Sequence, residues 1–413
     1  MGGVTGERLA GATGPTVTVV GIDAGGGPAH PAAAPALARA RLVVGAARHL
    51  AAVRLPADAD TLALGPLAPA LGRLADAVAA GVPAAVLASG DPGLFGVVRA
   101  LRAAGLPLRV LPAVSSVAAA FARAGLPWDG AAVVTAHGRD PRPALNACRA
   151  LPAVAVLTAP GAGAAELGAG LVGWARRLVV AEHLGTDAER LTETTPEQAA
   201  GRAWADPHVL LSLAGEPGAG GMRADNQPAA APPGGWALPE SAYAHRDSMI
   251  TKAEVRALAV ARLRPRLGRL VWDVGAGSGS VGIECALLGA AVIAVDHDPR
   301  AAVGANAARH GVDVRVVTGA APEALHPLPD PDAVFVGGGG TDVLAAVAQR
   351  RPERVVAALA AVDRVAPALG LLRAAGYAVQ GVQLSAARLA DLPGGSVRLA
   401  ATNPVVVLTG ERP

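Results

Sequence analysis

Along most of the chain, short apolar runs rich in Val, Leu and Ile alternate with longer stretches of helical period. In the first half, Val17–Ile22, Leu42–Val44, Ala84–Ala88, Leu108–Leu111, Ala132–Thr135, Val154–Thr158, Leu178–Ala181 and Val209–Leu213 read as strands. Helical stretches such as 68–80 and 116–124 lie between them. Leu270–Val274, Val292–Val295, Val314–Val317 and Ala333–Val336 continue the pattern in the second half. This alternation predicts α/β layering in both halves. Two late runs, near 378–384 and 404–408, are expected to close the second sheet, as an antiparallel edge. Between the halves, 216–238 clusters Gly, Pro and Ala without an apolar period and reads as a linker. The expected organisation is a tail at 1–15, a first domain at 16–215, the linker, and a second domain at 239–413.

The sharpest local pattern is Leu270-Val271-Trp272-Asp273-Val274-Gly275-Ala276-Gly277-Ser278-Gly279-Ser280. It predicts a strand, a glycine loop and a helix over 280–288. Alternate glycines let the backbone bend and approach a ligand with no Cβ in the way. The helix then aims its first N–H groups at the loop. A second strand ends in Asp296, where a carboxylate can accept from ribose hydroxyls. A dinucleotide fingerprint needs G-x-G-x-x-G, and here the third glycine falls one residue early. Asp-x-Gly-x-Gly-x-Gly instead resembles the loop of Rossmann-like S-adenosylmethionine-dependent methyltransferases. By itself the loop leaves open an RNA or protein methyltransferase, or a non-catalytic scaffold with a degenerate site.

Composition narrows these classes. The 413 residues are 52% hydrophobic but only 2% aromatic, so Ala, Val and Leu must build the core. The net charge of +3 is too mild, and aromatic platforms too few, to favour a nucleic-acid partner. A small polyanionic substrate is compatible with it. No apolar run approaches the ~20 residues of a membrane span, and no signal peptide is legible, so a cytoplasmic location is expected. Cys148 and Cys285 lie in different halves, against a disulfide framework, and no cluster has metal-ligand spacing. The arginine groups Arg262, Arg264, Arg266, Arg269 and Arg350, Arg351, Arg354 read as solvated faces.

Lys252 is the only lysine in a chain otherwise furnished with arginine. Either the position wants a compact ammonium, or Lys252 makes a salt bridge at a helix start. Thr251 reads as the N-cap of that helix. In the first half, three breaks follow strands: 21–28, Ser89 to Gly96, and Pro112 to Ser116. Ligands of open α/β sheets bind beyond the carboxyl ends of strands, so these loops outline a second pocket.

In order, VVGI-x₄-G-P, VVGAARHL, SGDPGLFG, LPAVSSV-x₃-FARAGLPW and AHGR resemble the cobalamin-pathway branch of the tetrapyrrole methylases. HRDSMITKAEVRA, WDVGAGSGSVGIECA and DAVFVGGGG resemble the decarboxylating methyltransferase domain of the same pathway. Together the halves resemble the fused family that methylates a reduced precorrin-6 at carbons 5 and 15 and removes the ring C acetate carboxyl. The resemblance implies a two-lobed tetrapyrrole methylase fold followed by a Rossmann-like class I methyltransferase domain. It further implies one S-adenosylmethionine per domain, no metal, a tetrapyrrole substrate and a homo-oligomer. In the second domain, Thr251, Gly275, Ala276, Gly277, Ser278, Gly279, Asp296 and the backbone around Ala321 would hold the cofactor. Gly337, Gly338, Gly339 and Gly340 would line the substrate side. In the first domain, Gly90, Asp91, Leu94, Ser115 and Ser116 would hold a second cofactor. His245, Arg246, Lys252 and Glu254 are candidates for substrate handling. Two departures stand out: Ala320, where the family often has aspartate, and Asp23, where many members have glycine.

Overall fold

The computed structural model describes residues 15–215, 236–246 and 250–413. The N-terminal tail before Pro15 and most of the expected linker lie outside the described residues. The chain forms two compact units. The first comprises 15–127, 179–193 and 204–211, and the second 128–178, 194–203 and 212–413.

The first unit is built on β1 (Val17–Ile22), β2 (Leu42–Gly45), β3 (Asp60–Ala63), β4 (Ala84–Ser89) and β5 (Leu108–Leu111). They form a parallel sheet of order β3-β2-β4-β1-β5. Successive residues face opposite sides. Val17, Val19, Leu42 and Val44 therefore enter one core, and Val20, Ile22, Val43 and Leu87 the other. Strand β3 was not legible in the sequence, since it is a short edge strand with no buried residue.

The second unit opens with β6 (Ala132–Thr135) and β7 (Ala153–Leu157), paired in parallel around the helix Arg142–Ala150. The chain then passes through β8 (Arg176–Glu182), β9 (Arg190–Thr194) and β10 (His208–Ala214), most of whose residues belong to the first unit. Within this unit Arg176 donates to Asp313 at 2.6 Å and Asn146 to the Gly268 carbonyl at 3.1 Å.

The unit's large sheet contains β11 (Leu270–Val274), β12 (Ala291–Asp296), β13 (Arg315–Thr318), β14 (Ala333–Val336) and β15 (Arg354–Leu359). It continues with β16 (Ala378–Leu384), while β17 (Ala387–Asp391) and β18 (Val397–Ala401) form a separate hairpin before β19 (Val405–Glu411) returns to the sheet. The order is β13-β12-β11-β14-β15-β19-β16, parallel except that β19 runs against β15 and β16. The expected antiparallel edge is therefore present, and it includes β15, which the sequence reading missed behind its arginines. Leu270, Trp272 and Val274 face one core, and Val271 the other. Among the described residues no helix is long and apolar enough to cross a membrane.

The reading of the arginine groups as solvated faces holds for Arg264, Arg266 and Arg351, which are exposed, and is corrected for Arg350 and Arg269. Arg350 donates to Asp330 and to three carbonyls, and its guanidinium lies 5.7 Å from the Trp272 ring. Arg269 bonds Asp332 and Glu353. Both side chains are held by the segments they tie together, 325–330 for Arg350 and the residues before β14 and β15 for Arg269.

Candidate functional site

In the second unit, β11 ends in a loop where Gly275, Gly277 and Gly279 all adopt positive φ, a conformation that favours glycine. A Cβ on Gly275 would come within 2.7 Å of the Gly338 nitrogen, and one on Gly279 within 2.8 Å of Val303. The loop thus runs against Gly337–Gly340 after β14, and the structure brings these two sequence-selected segments together. Ala276 and Ser278 complete the turn; the Ser278 carbonyl accepts from buried Asn306 at 2.8 Å.

Asp296, at the end of β12, accepts from the Gly277 N–H at 2.7 Å through Oδ2 and from the Asp298 N–H at 2.9 Å through Oδ1. A carboxylate has about four lone-pair sites, so acceptor capacity remains for ribose hydroxyls. The backbone of Gly319 donates to the Asp296 carbonyl, carrying the segment with Ala320 and Ala321 to the same strand end.

Asp273 lies under the loop, on the face covered by the helix Ser280–Leu287. Its Oδ2 accepts from the Gly282 N–H at 2.8 Å, and Oδ1 is buried with no partner. Burial, and secondarily the charge of Asp296, pushes its carboxyl up to about 7. A side chain at Gly282 would meet Asp273 Oδ2 and Val292 at 3.0 Å, so glycine is what lets helix and carboxylate approach.

A strap running from Trp236 to Arg246 approaches this helix, and sequence reasoning missed what fastens it. Glu284, fully buried, accepts from the N–H groups of Ala237 (2.9 Å) and Leu238 (3.0 Å), from the Tyr243 hydroxyl (3.2 Å) and from Arg256 Nε (2.6 Å). Arg256, also fully buried, donates to the carbonyls of Thr251 and Leu238. Asn306 exchanges two bonds of 2.8 Å with the Ala244 backbone. The strap is thereby joined, through Asn306 and Ser278, to the glycine loop. The end of the stretch read as linker is already folded: Leu238 is buried.

Thr251 is not the N-cap; the helix Ala253–Leu263 starts one residue later, with Lys252 as N-cap and no side-chain capping bond. Arg256 holds the Thr251 carbonyl instead, which fixes the backbone ahead of the helix. Lys252 Nζ lies 3.9 Å from Glu240, and Arg388 of β17 bridges Glu240 and Glu254 at 2.7 Å each. Arg388 holds the Glu240 carboxyl down at about 2. His245 Nδ1 is 3.0 Å from the Tyr243 carbonyl, and Arg246 pairs with Asp298. Lys252 and Glu254 therefore share one ion cluster, while His245 and Arg246 lie on the strap.

In the first unit the carboxyl ends of β1, β4 and β5 converge. A Cβ on Gly21 would lie 2.4 Å from the Gly90 carbonyl and 2.5 Å from the Ala113 nitrogen; one on Gly90, which has φ of +58°, would meet Ser115. Asp91 accepts from Gly93, and the Leu94 N–H returns to the Asp91 carbonyl, closing a turn. Ser115 caps the helix that begins at Ser116 by accepting from Ala118. Asp23 accepts the Gly27 N–H at 2.8 Å and so closes its own loop. Among the described residues no group of His, Cys, Asp and Glu could hold a metal ion.

Comparison with known proteins gives two family matches: residues 16–200 to the tetrapyrrole (corrin/porphyrin) methylases, and 241–409 to the precorrin methyltransferase domain. The chain is 40% identical over 329 residues to a Sinorhizobium precorrin-6Y C(5,15)-methyltransferase [decarboxylating], covering 74% of each. It is 33% identical over 324 residues to the Mycobacterium tuberculosis protein of that name, covering 74% of this chain and 76% of the relative. A Pyrobaculum calidifontis probable cobalt-precorrin-6B C(15)-methyltransferase (decarboxylating) is 37% identical over 184 residues, 42% of this chain and 94% of the relative.

Proposed function

The chain belongs to the precorrin-6Y C(5,15)-methyltransferase (decarboxylating) family, and from that premise we propose how its two halves share the work. It is a methyltransferase that uses S-adenosylmethionine. In our reading the domain of 16–215 methylates a reduced precorrin-6 at carbon 5. The domain of 239–413 methylates carbon 15 and removes the ring C acetate carboxyl. The observation that carries this reading is the presence of two separate glycine-lined strand ends, each too tight for side chains at Gly21 and Gly275. The half-length Pyrobaculum relative supports the division, because its name assigns it carbon 15 and the decarboxylation without carbon 5.

The residues at the second site fit S-adenosylmethionine. Gly275, Gly277 and Gly279 offer backbone without Cβ atoms, Asp296 offers unused acceptor capacity, and Thr251 and the backbone of Ala321 would complete the site. S-adenosylmethionine supplies an electrophilic methyl group when bound. The chain's part is then alignment, which can contribute about 7–11 kcal/mol at best. Gly337–Gly340 would let the flat macrocycle approach, and arginine forks such as Arg246 would receive its carboxylate arms. For the decarboxylation the macrocycle accepts the electron pair, so the protein need only orient the carboxylate. His245, Lys252 and Glu254 are the side chains we assign to that region. In the first unit, Gly90, Asp91, Leu94, Ser115 and Ser116 would hold a second cofactor. We further infer a cytoplasmic homo-oligomer.

Mass spectrometry of the product formed without air from reduced precorrin-6 and S-adenosylmethionine tests the reading. Two methyl groups gained with one carbon dioxide lost is the expected result. A single methyl gained with that loss would refute an active first unit.

A further inference from the structure

A cluster beside the first unit's loops has no part in the chemistry assigned so far. His49 is buried on the short helix 47–52 after β2, and its Nε2 lies 3.2 Å from Ser89 Oγ. Arg48 Nη2 donates to the same Oγ at 3.2 Å. Ser89 is the exposed last residue of β4 and directly precedes Gly90. Three polar side chains thus meet at the strand end where the cofactor-holding turn begins.

The chemistry of this unit leaves a proton to be removed. Methyl transfer breaks the donor's S–CH3 bond, whose electron pair stays on sulfur, and forms a C–CH3 bond from a π pair of the substrate. The methylated macrocycle then carries one positive charge. A C–H bond must break, its electron pair returning to the conjugated system and its proton leaving. The geometry points to Ser89 as the group that takes this proton, with His49 receiving the hydroxyl proton that Ser89 gives up. The inference rests on the proposed assignment of carbon 5 to the first unit.

The hydrogen-bonding capacity fits this role. A serine hydroxyl has one hydrogen and two lone pairs. With the histidine proton on Nδ1, the hydroxyl hydrogen goes to His49 Nε2 and one lone pair receives Arg48. The second lone pair is left for the incoming proton, and the guanidinium stabilises negative charge that builds on Oγ as its own proton passes to His49. Burial, and then Arg48, lowers the His49 pKa, so the imidazole is neutral and able to accept at pH 7. The groups facing it are few. The helix packs on β2, β3 and β4, of which only β3 carries a charge, Asp60, paired with Arg73. Asp91 follows β4 and is engaged with Gly93.

The test uses the full chain with the reduced precorrin-6 substrate. His49→Gln keeps a bonding partner for Ser89 but cannot accept a proton, and Ser89→Ala removes the relay atom. A general base contributes on the order of 10²–10⁴-fold, so carbon 5 methylation should slow about 100-fold or more in both variants. Carbon 15 methylation and decarboxylation should keep their wild-type rates. The acid limb of the carbon 5 rate in the wild type should vanish in His49→Gln. As a readout apart from activity, NMR of the imidazole nitrogens should show His49 titrating below an ordinary histidine and shifting in Ser89→Ala. His49→Gln with a wild-type carbon 5 rate and pH profile would overturn the relay. Gly21→Ala separates this from the underlying assignment: if blocking the first site leaves carbon 5 methylation intact, the assignment itself falls and the relay with it.

Discussion

Glu284→Gln should destabilise the second unit more than any change at the exposed ion pairs. Glu284 and Arg256 have no exposed side-chain surface and meet at 2.6 Å. The carboxylate receives four hydrogen bonds, two of them from the strap backbone. An amide of the same shape keeps one acceptor oxygen. Its NH2 group faces donors, either Ala237 N–H or the Arg256, Leu238 and Tyr243 donors, and at least one is left unpaired. It also leaves the Arg256 charge buried without a counter-charge, although the carbonyls of Thr251 and Leu238 still accept from it. Breaking a buried pair from one side costs about 3–5 kcal/mol, a large part of the ~5–15 kcal/mol that holds a typical protein folded.

Urea unfolding of the full chain, followed by circular dichroism with the transition of each unit fitted separately, measures this. The second unit's transition should move to lower urea and the first unit's should stay. Limited proteolysis should cut first within 236–246. A double variant, Arg256→Met with Glu284→Leu, should lose less than Glu284→Gln alone, because no charge is then stranded. A loss below about 1 kcal/mol in Glu284→Gln, small against the cost of a stranded buried charge, would refute the view that this pair fastens the strap.

Other outcomes follow from the same geometry. Gly275→Ala should abolish cofactor binding at the second site, because its Cβ would meet the Gly338 nitrogen at 2.7 Å and its φ of +73° disfavours any side chain; calorimetric titration should fall from two sites to one, with decarboxylation lost and carbon 5 methylation kept. Asp273 keeps its proton in the folded chain up to about pH 7, whereas the unfolded carboxyl loses it near 3.8. Its contribution to stability should therefore decline as pH rises between those values and stay flat above; Asp273→Asn should remove that slope, and parallel unfolding profiles in the two proteins would contradict it. Asn306→Ala should weaken cofactor affinity at the second site more than it lowers the unfolding midpoint, since it frees both the Ser278 carbonyl and the Ala244 backbone; a midpoint loss with unchanged affinity would count against the link from strap to loop.

The contrast between what could and could not be read from the chain has a physical origin. Parallel strands buried on both faces are near-continuous apolar runs, so β1, β4, β11, β12 and β14 were legible almost to the residue. Strand β15 begins at Arg354, whose partner Glu411 lies in β19, so a run that looks like a solvated arginine cluster in fact opens an interior strand of the sheet. The hairpin of β17 and β18 leaves Leu389 and Leu399 largely exposed, and without a buried face no apolar run marked it, although Pro393-Gly394-Gly395 supplied a turn signal. The glycine loop was legible because its conformation is dictated by neighbours in sequence. The strap was not, because its fastenings join residues 13 to 148 positions apart, and nothing local distinguishes Glu284 or Arg256 from a surface charge. Lys252 makes the same point from the other side. Its solitude in an arginine-rich chain marked it for chemistry, yet its neighbour in the fold is Glu240, itself held by Arg388 from a hairpin 148 residues further along. What a charged residue does is set by the partner that folding brings to it, and that partner is the part of the site a sequence hides most effectively.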